Sequence, residues 1–245
     1  MSIQFDPQDL ECPDPDGCTV AVTELVELAR SGGLPSAPFF SSRRWFRVYD
    51  ARDGFGQPNP GFGDTRFSPF DALESGRRVP TLYLAQTLEA ALLETSLHNV
   101  SVGSRVVSEM SLLGKLHAQV LPPRDLQLVD LRDEQLQALG LDRMNIASSS
   151  SEHYPCTRQV ARAIHADQHL DGIIWHSRQA ELTERTQAEV AVLFADRVPH
   201  ERGRWSLSPA RNANGSLLEG TGRLLLDQLA ESLGVTISAE PRLDN

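Results

Sequence analysis

The stretch "TLYLAQTLEAALLETSL", residues 81–97, gives the clearest indication of the fold. "VPTLYLA" is typical of a short apolar strand, and Thr87 suits the N-cap of a helix running from Leu88 to about His98. Leucine and alanine cover nearly the whole circumference of this helix, so it should be buried. Glu94 nevertheless lies in its last turns. A buried carboxylate is costly unless it is paired, bound to a ligand or protonated. Glu94 is therefore either a structural ion-pair partner of an arginine or part of a site.

The rest of the chain predicts more strands than helices, without a regular βαβ alternation. The predicted strands are 43–52, 104–113, 115–121, 126–131, 171–177 and 188–198. The predicted helices are 19–34, which should end at Gly32–Gly33, then 133–141, 154–170 and 222–234. This pattern indicates an α+β fold with a mixed or antiparallel sheet and flanking helices.

The predicted core begins after "PSAPFFSS", residues 35–42, which we interpret as a linker. The glycine- and proline-rich segment "DGFGQPNPGFGDTRFSPF", residues 53–70, should be a structured loop. We expect an N-terminal extension over 1–42, one core domain over 43–203, and a C-terminal helical extension over 204–245 packed on the same domain.

Length, composition and charge exclude several classes of function. A chain of 245 residues can form one sizeable core. Its formal net charge of −10 argues against sequence-independent nucleic-acid binding and against docking on anionic membranes. No apolar run is long enough to span a bilayer. The chain has three cysteines, Cys12, Cys18 and Cys156. An odd number in a long chain argues against a disulfide framework and indicates a cytoplasmic protein.

Histidine and cysteine spacing gives no metal motif. His165 and His169 could share a helix face, but no HExxH pattern accompanies them and the cysteines lack zinc spacing. We interpret the two histidines as a solvated helical pair and expect no metal site.

Four further side chains could act together with Glu94. Arg47 lies in the first core strand, Arg66 ends the glycine-rich loop, Tyr83 lies in the strand before the helix, and Ser177 closes "DGIIWHS". Each also has an ordinary structural interpretation: an edge or ion-paired arginine, a core tyrosine, or a turn serine. Taken singly, they indicate only an α+β protein.

Taken in order, these segments resemble the RES-domain family, named for its arginine, glutamate and serine. The resemblance rests on "RWFRVYDAR", "GFGDTRFSPF", "LYLAQTLEAALLET" and "DGIIWHSR" followed by "AEVAVLF", and covers about residues 44–200. It implies an ADP-ribosyltransferase-like core. It also implies kinship with toxins of toxin–antitoxin pairs that destroy NAD and are masked by an Xre-type, helix-turn-helix antitoxin.

The resemblance implies a chemistry for these residues. Arg47 and Arg66 would bind the NAD pyrophosphate, because guanidinium groups suit phosphate oxygens. Glu94 would stabilise the oxocarbenium-like transition state formed when the nicotinamide–ribose bond breaks. Tyr83 would orient the nicotinamide ribose, and Ser177 would hydrogen-bond the substrate and hold Glu94. NAD is then the substrate, with no further cofactor and no metal.

Several alternatives remain open on the sequence. The acceptor could be water, inorganic phosphate or a macromolecule, the last making the protein an ADP-ribosyltransferase. A non-catalytic module that only binds a partner is a different class, against which the retained arginine, tyrosine, glutamate and serine set speaks. A nuclease toxin is disfavoured by the acidic balance and the missing metal pattern. Toxicity and assembly as monomer or homodimer are also open.

Overall fold

The computed structural model describes residues 22–97, 105–146, 151–177 and 188–239. Within these ranges the α-helices are α1 Val22–Arg30, α2 Leu88–Leu93, α3 Asp133–Ala138, α4 Arg143–Ile146, α5 Tyr154–Ile164 and α6 Gly220–Ser232. The strands are β1 Ser36–Phe39, β2 Trp45–Asp50, β3 Thr81–Ala85, β4 Val106–Ser108, β5 Lys115–Leu121, β6 Leu126–Asp130, β7 Gly172–His176, β8 Glu189–Phe194, β9 Ser206–Leu207, β10 Asn214–Ser216 and β11 Thr236–Ser238.

Most strands form one curled sheet in the order β1-β6-β7-β8-β3-β2-β5-β10, with β9 also paired to β5. Its ladders are antiparallel except for the parallel pair β6–β7. A separate parallel pair joins β11 to β4. The predicted α+β fold with a mixed or antiparallel sheet and flanking helices is confirmed, and the sheet is mixed.

The linker interpretation of residues 35–42 is wrong. Ser36–Phe39 forms β1, which pairs antiparallel with β6 at the sheet edge. Its side chains alternate between exposed and buried, and the Phe39 ring stacks on Trp45 with centroids 4.3 Å apart. The prolines hid this strand: Pro38 lacks an N–H to donate, and an edge strand tolerates that.

Buried side chains lie on both faces of the sheet. Helices α2, α5 and α6 contribute to the larger cluster, with Leu92, Val160 and Leu226 each fully buried. The smaller cluster on the other face is organised around Trp45.

Helix α2 begins as predicted and ends earlier. The Thr87 hydroxyl accepts a hydrogen bond from the Ala90 N–H at 3.1 Å, which confirms the N-cap. The helix stops at Leu93 because the Thr95 hydroxyl donates to the Ala91 carbonyl and the Leu97 N–H reaches back to Leu92. Every residue from Ala90 to Leu93 is buried, as the apolar pattern predicts. The predicted end at His98 lies outside the described residues.

The C-terminal segment contains more secondary structure than the sequence predicts. Only one helix was expected after Arg204, and α6 is that helix, but β9, β10 and β11 are added around it. These strands have two or three residues each, too few for a periodicity to appear in the sequence. Helix α6 packs against β10, so this segment lies against the main sheet.

Candidate functional site

A cleft opens where two neighbouring strands separate. Strands β2 and β3 share a single registered pair, Phe46 with Ala85, and then diverge. Further along β3, Asn59 replaces β2 as the neighbour, exchanging hydrogen bonds of 2.8 and 2.9 Å with Thr81. The resulting cleft has a volume of about 440 Å³. Its lining residues are Arg47, Val48, Asp50, Arg52, Asp53, Gln57, Pro58, Asn59, Pro60, Phe62, Asp64, Thr65, Arg66, Thr81, Tyr83, Glu94, Thr95 and Lys115.

Glu94 caps the C-terminus of α2 and lines this cleft. Its Oε1 accepts a hydrogen bond of 2.6 Å from the hydroxyl of Ser177. Ser177 directly follows β7, is fully buried, and is anchored by its N–H to the Ala188 carbonyl at 2.9 Å. Among the described residues, no arginine or lysine forms an ion pair with Glu94. The structure therefore gives Glu94 a neutral partner rather than the arginine that a structural ion pair requires.

Tyr83 lines the cleft from β3, and its hydroxyl is hydrogen-bonded to the glycine-rich loop. The oxygen accepts from the Phe67 N–H at 3.1 Å and shares a 3.0 Å hydrogen bond with the Thr65 hydroxyl. Burial raises the pKa of Tyr83 above its ordinary value, against the smaller opposing effect of these hydrogen bonds. The phenol is therefore protonated at neutral pH, and its geometry suits positioning the loop rather than accepting a proton.

Arg66 is 5% exposed and firmly held within the loop that Tyr83 contacts. Its Nη1 donates to the Ile146 carbonyl at 2.9 Å, and the guanidinium lies 5.3 Å from the centroid of the Tyr154 ring. Thr157 on α5 donates its hydroxyl to the Arg66 carbonyl. The side chain thus reaches the cleft wall with its direction fixed by contacts behind it.

A buried guanidinium on α5 shapes the same loop. Arg158 is 3% exposed, and its Nε donates to the carbonyls of Thr65 and Ser68, both at 3.2 Å. Its Nη2 also contacts the Asp64 carboxylate. Arg158 thereby clamps the segment 64–68 that carries Arg66.

Arg47 projects from β2 toward the glycine-rich loop. Its Nη1 donates to the Phe55 carbonyl at 2.7 Å. Burial lowers the pKa of Arg47 to about 10, although the nearby Asp53 carboxylate opposes that change. The guanidinium therefore stays charged at neutral pH, a buried cation beside a cleft, which favours binding an anion.

The cleft brings together the side chains selected from the sequence. Arg47, Arg66, Tyr83 and Glu94 all line it, and Ser177 reaches it through its hydrogen bond to Glu94. The sequence did not identify Arg158, Asn59 or Phe62 as contributors. No local sequence pattern marks Arg158, because the carbonyl groups to which it donates lie 90 or more residues earlier in the chain. Asn59 and Phe62 lie in a loop whose shape no periodicity reveals.

The solvated-pair interpretation of His165 and His169 is wrong for His165. Helix α5 ends at Ile164, and His165 is 5% exposed with its Nε2 2.9 Å from the Asp196 carboxylate. The ring packs edge-on against Phe70 and Phe194, so it belongs to the core. Across the described ranges, no group of three or more metal-ligating side chains comes together. None of the described helices has the length and apolar character needed to cross a membrane.

The fold resembles that of a solved protein. The chain is similar to a chain in the crystal structure of the MbcT–MbcA toxin–antitoxin complex of M. tuberculosis, with a TM-score of 0.53 and 16% sequence identity. The match covers 87% of this chain and 100% of that chain. At this identity the likeness speaks for the fold alone.

The family follows from the sequence. The model of the RES domain matches residues 42–208, about two thirds of the chain. The protein therefore belongs to the RES-domain family, as its Arg, Glu and Ser segments predict. A comparison with curated protein sequences found no match.

Proposed function

We propose that this protein cleaves the nicotinamide–ribose bond of NAD. The observation that carries the proposal is the Glu94 carboxylate, held by the Ser177 hydroxyl at 2.6 Å in a cleft also lined by Arg47 and Arg66. A carboxylate beside two arginines matches a substrate that has an anionic pyrophosphate and develops positive charge at the ribose. Membership of the RES family supports the same assignment.

Glu94 would act on the transition state. Breaking the bond between C1″ of the ribose and the pyridinium nitrogen moves the bonding electrons to nicotinamide, which leaves neutral. Positive charge then develops on the ribose, and a preorganised carboxylate stabilises it. The leaving group already carries a positive charge, so it departs without being protonated or activated by a metal.

Ser177 would be a positioning residue. Its hydroxyl donates to Glu94 and thereby fixes the position of the carboxylate. Tyr83 would act similarly on the other wall, holding the loop that carries Arg66. Arg47 and Arg66 would supply positive charge for the pyrophosphate oxygens.

The acceptor completes the reaction at C1″. Water would give ADP-ribose and release one proton, whereas inorganic phosphate would give ADP-ribose 1″-phosphate. Both routes begin with the same bond cleavage, so the residues above serve either. We expect no cofactor besides NAD as substrate.

We further propose that the chain is the toxin of a toxin–antitoxin pair, working in the cytoplasm. The similar solved chain belongs to a toxin–antitoxin complex. The partner would be an Xre-type antitoxin protein that covers the cleft. Expression of the wild-type chain alone should arrest bacterial growth and deplete NAD, while Glu94→Gln should not. Normal growth with full NAD at equal expression would contradict the toxin assignment.

Purified protein incubated with NAD tests the activity directly. Nicotinamide release without added metal is expected, measured by chromatography with and without inorganic phosphate. A rate that rises with phosphate, together with ADP-ribose 1″-phosphate, would identify phosphorolysis. NAD labelled in the adenylate part, followed by gel analysis of macromolecules, would reveal ADP-ribosyl transfer instead. NAD left intact by protein that is folded and free of any bound partner would refute the proposal.

A further inference from the structure

Phe62 is an exposed aromatic side chain at the mouth of the cleft. It is 58% exposed and lines the cleft, and Tyr83 is the other aromatic lining residue in the described part of the chain. A singly exposed phenylalanine is unremarkable on a protein surface. The fixed backbone beneath Phe62 and its place in the cleft are what require an explanation.

The loop that carries Phe62 is pinned on both sides. The Asn59 Oδ1 accepts hydrogen bonds from the Gly61 N–H at 2.9 Å and the Phe62 N–H at 2.8 Å. Its Nδ2 donates to the Phe62 carbonyl at 2.8 Å. On the other side, Arg78 donates to the Gly61 carbonyl at 3.0 Å and is itself paired with Asp71.

The local sequence enforces this conformation. Gly61 has φ +111°, a value that side chains disfavour, and a Cβ there would lie 2.6 Å from the Arg78 side chain. Gly61 and the three hydrogen bonds made by the Asn59 side chain fix the backbone of this turn. The turn therefore holds the Phe62 ring in a defined place. A preorganised aromatic surface loses little entropy when a planar ring binds on it.

We infer that Phe62 forms the stacking platform for the adenine ring of the dinucleotide, an inference that rests on the proposed function. The reacting bond must lie at Glu94, which is partly buried and hydrogen-bonded to the fully buried Ser177, so nicotinamide is bound in a more buried part of the cleft than Phe62. The exposed rim is then left for the opposite end of NAD. Stacking is the interaction that an exposed phenyl ring offers a purine.

A neighbouring groove of about 870 Å³ is the competing place for adenine. It lies along the glycine-rich loop and is also lined by His200 and Trp205. The residues that it shares with the cleft are Arg52, Asp53, Gln57, Pro58 and Pro60. Trp205 is only 4% exposed and its indole N–H is bonded to the Pro199 carbonyl. The other aromatic side chains that line the groove, Phe55 and His200, are partly buried, so none of the three is as exposed as Phe62.

Kinetics with a whole and a shortened substrate test the platform. Phe62→Ala should raise the KM for NAD about tenfold and leave kcat within about twofold, as expected for lost uniform binding. Phe62→Trp should keep the wild-type KM. Nicotinamide mononucleotide has no adenine, so Phe62→Ala should cleave it with the KM and kcat of the wild type. Phe40→Ala is the matched control, because Phe40 is 50% exposed and does not line the cleft.

Binding of ADP-ribose, measured by calorimetry, gives a readout that needs no turnover. Phe62→Ala should weaken ADP-ribose about tenfold and leave the binding of ribose 5-phosphate unchanged. Asn59→Ala should weaken ADP-ribose similarly, and the double variant should be little worse than either single one, because both changes remove one platform.

The outcomes separate the platform from the proposed activity. A wild type that releases no nicotinamide refutes the activity, while the calorimetric comparison still tests Phe62. Unchanged ADP-ribose binding in Phe62→Ala would overturn the platform. Equal losses for NAD and nicotinamide mononucleotide would place nicotinamide at Phe62 and also overturn it. A tenfold loss in His200→Ala instead of Phe62→Ala would place adenine in the neighbouring groove.

Discussion

The two walls of the cleft are built by different means. The wall carrying Tyr83, Glu94 and Ser177 consists of strands β3 and β7 and helix α2, which backbone hydrogen bonds and buried apolar side chains hold in place. The wall carrying Arg66 and Phe62 is a loop between residues 51 and 70. Arg158 on α5 and Tyr83 on β3 hold that loop from outside, and Asn59 holds it from within. A regular wall can position one carboxylate rigidly, while a loop held by side-chain contacts can present a cation and an aromatic ring along a long ligand.

Trp175 joins the two walls from behind. It is fully buried on β7, with ring centroids 4.8 Å from Phe67 on the loop wall and 6.2 Å from Tyr83 on the strand wall. Trp175→Ala should lower the free energy of unfolding by about 3–5 kcal/mol, the usual cost of removing a large core aromatic. Denaturant unfolding followed by circular dichroism would measure this.

Trp175→Phe is the control for the same position. The indole N–H has no hydrogen-bond partner among the described residues, so phenylalanine loses packing but no polar contact. Trp175→Phe should lower the free energy of unfolding by less than half as much as Trp175→Ala. Equal costs for the two variants would show that the indole itself, rather than the aromatic packing, supports the walls.

A substitution of Arg158 tests the contribution of the loop wall separately from that of the strand wall. Arg158→Met keeps much of the volume but removes the donors to the Thr65 and Ser68 carbonyls. We expect a loss of about 2 kcal/mol in the free energy of unfolding, since buried acceptors are left unsatisfied. The KM for NAD should rise as well, because Arg66 would lose its fixed position.

Arg223→Met provides the surface comparison for this loss. Arg223 on α6 pairs with Glu109 and Asp227, which are partly exposed, so its removal should cost less than about 1 kcal/mol and leave KM unchanged. If both arginine variants behaved alike, the clamp would have no special role.

Tyr83→Phe removes one of the hydroxyls that link the strand wall to the loop; the Thr81 hydroxyl, which donates to the Ser68 hydroxyl at 3.0 Å, remains. The expected cost is about 1 kcal/mol at neutral pH, typical of a lost hydrogen bond. Burial raises the pKa of Tyr83, so the folded state binds the phenolic proton more tightly than the unfolded state. The stability from this proton is complete below the unfolded pKa of about 10 and is lost as pH rises toward the folded pKa.

Unfolding at alkaline pH therefore distinguishes Tyr83 from its neighbours. Between about pH 10 and 11 the wild type should lose stability more steeply than Tyr83→Phe. The pH dependence of turnover near neutrality should be the same in both proteins. A change in the neutral pH–rate profile would instead make Tyr83 a proton-transfer group and contradict its positioning role.

The sequence predicted the regular wall better than the loop wall. Thr87 marks the start of α2, the apolar run around Leu92 predicts its burial, and Ser177 follows a strand whose apolar run is unmistakable. These signals are local, because cap chemistry and periodicity depend on neighbouring residues. The same reasoning missed β1, since Pro38 obscures its alternation, and placed the end of α2 too late.

The loop wall could not be derived in this way. "DGFGQPNPGFGDTRFSPF" is recognisable as a structured loop, and Arg66 could be selected from it by resemblance to the RES family. What fixes the loop, however, comes from distant parts of the chain: Thr157 and Arg158 on α5, and the carbonyl of Ile146. A single sequence carries no record of such long-range contacts.

Glu94→Gln, measured for melting, NAD binding and nicotinamide release, tests the proposed chemistry most directly. With Ser177 rather than an arginine as its partner, Glu94 should tolerate the change with nearly unaltered melting. NAD should still bind, while nicotinamide release should fall by about 10²–10³, the usual loss when one contact that stabilises the transition state is removed. Near-normal release would contradict a role for Glu94 in bond cleavage. A variant destabilised by about 3–5 kcal/mol would show instead that Glu94 holds the fold together.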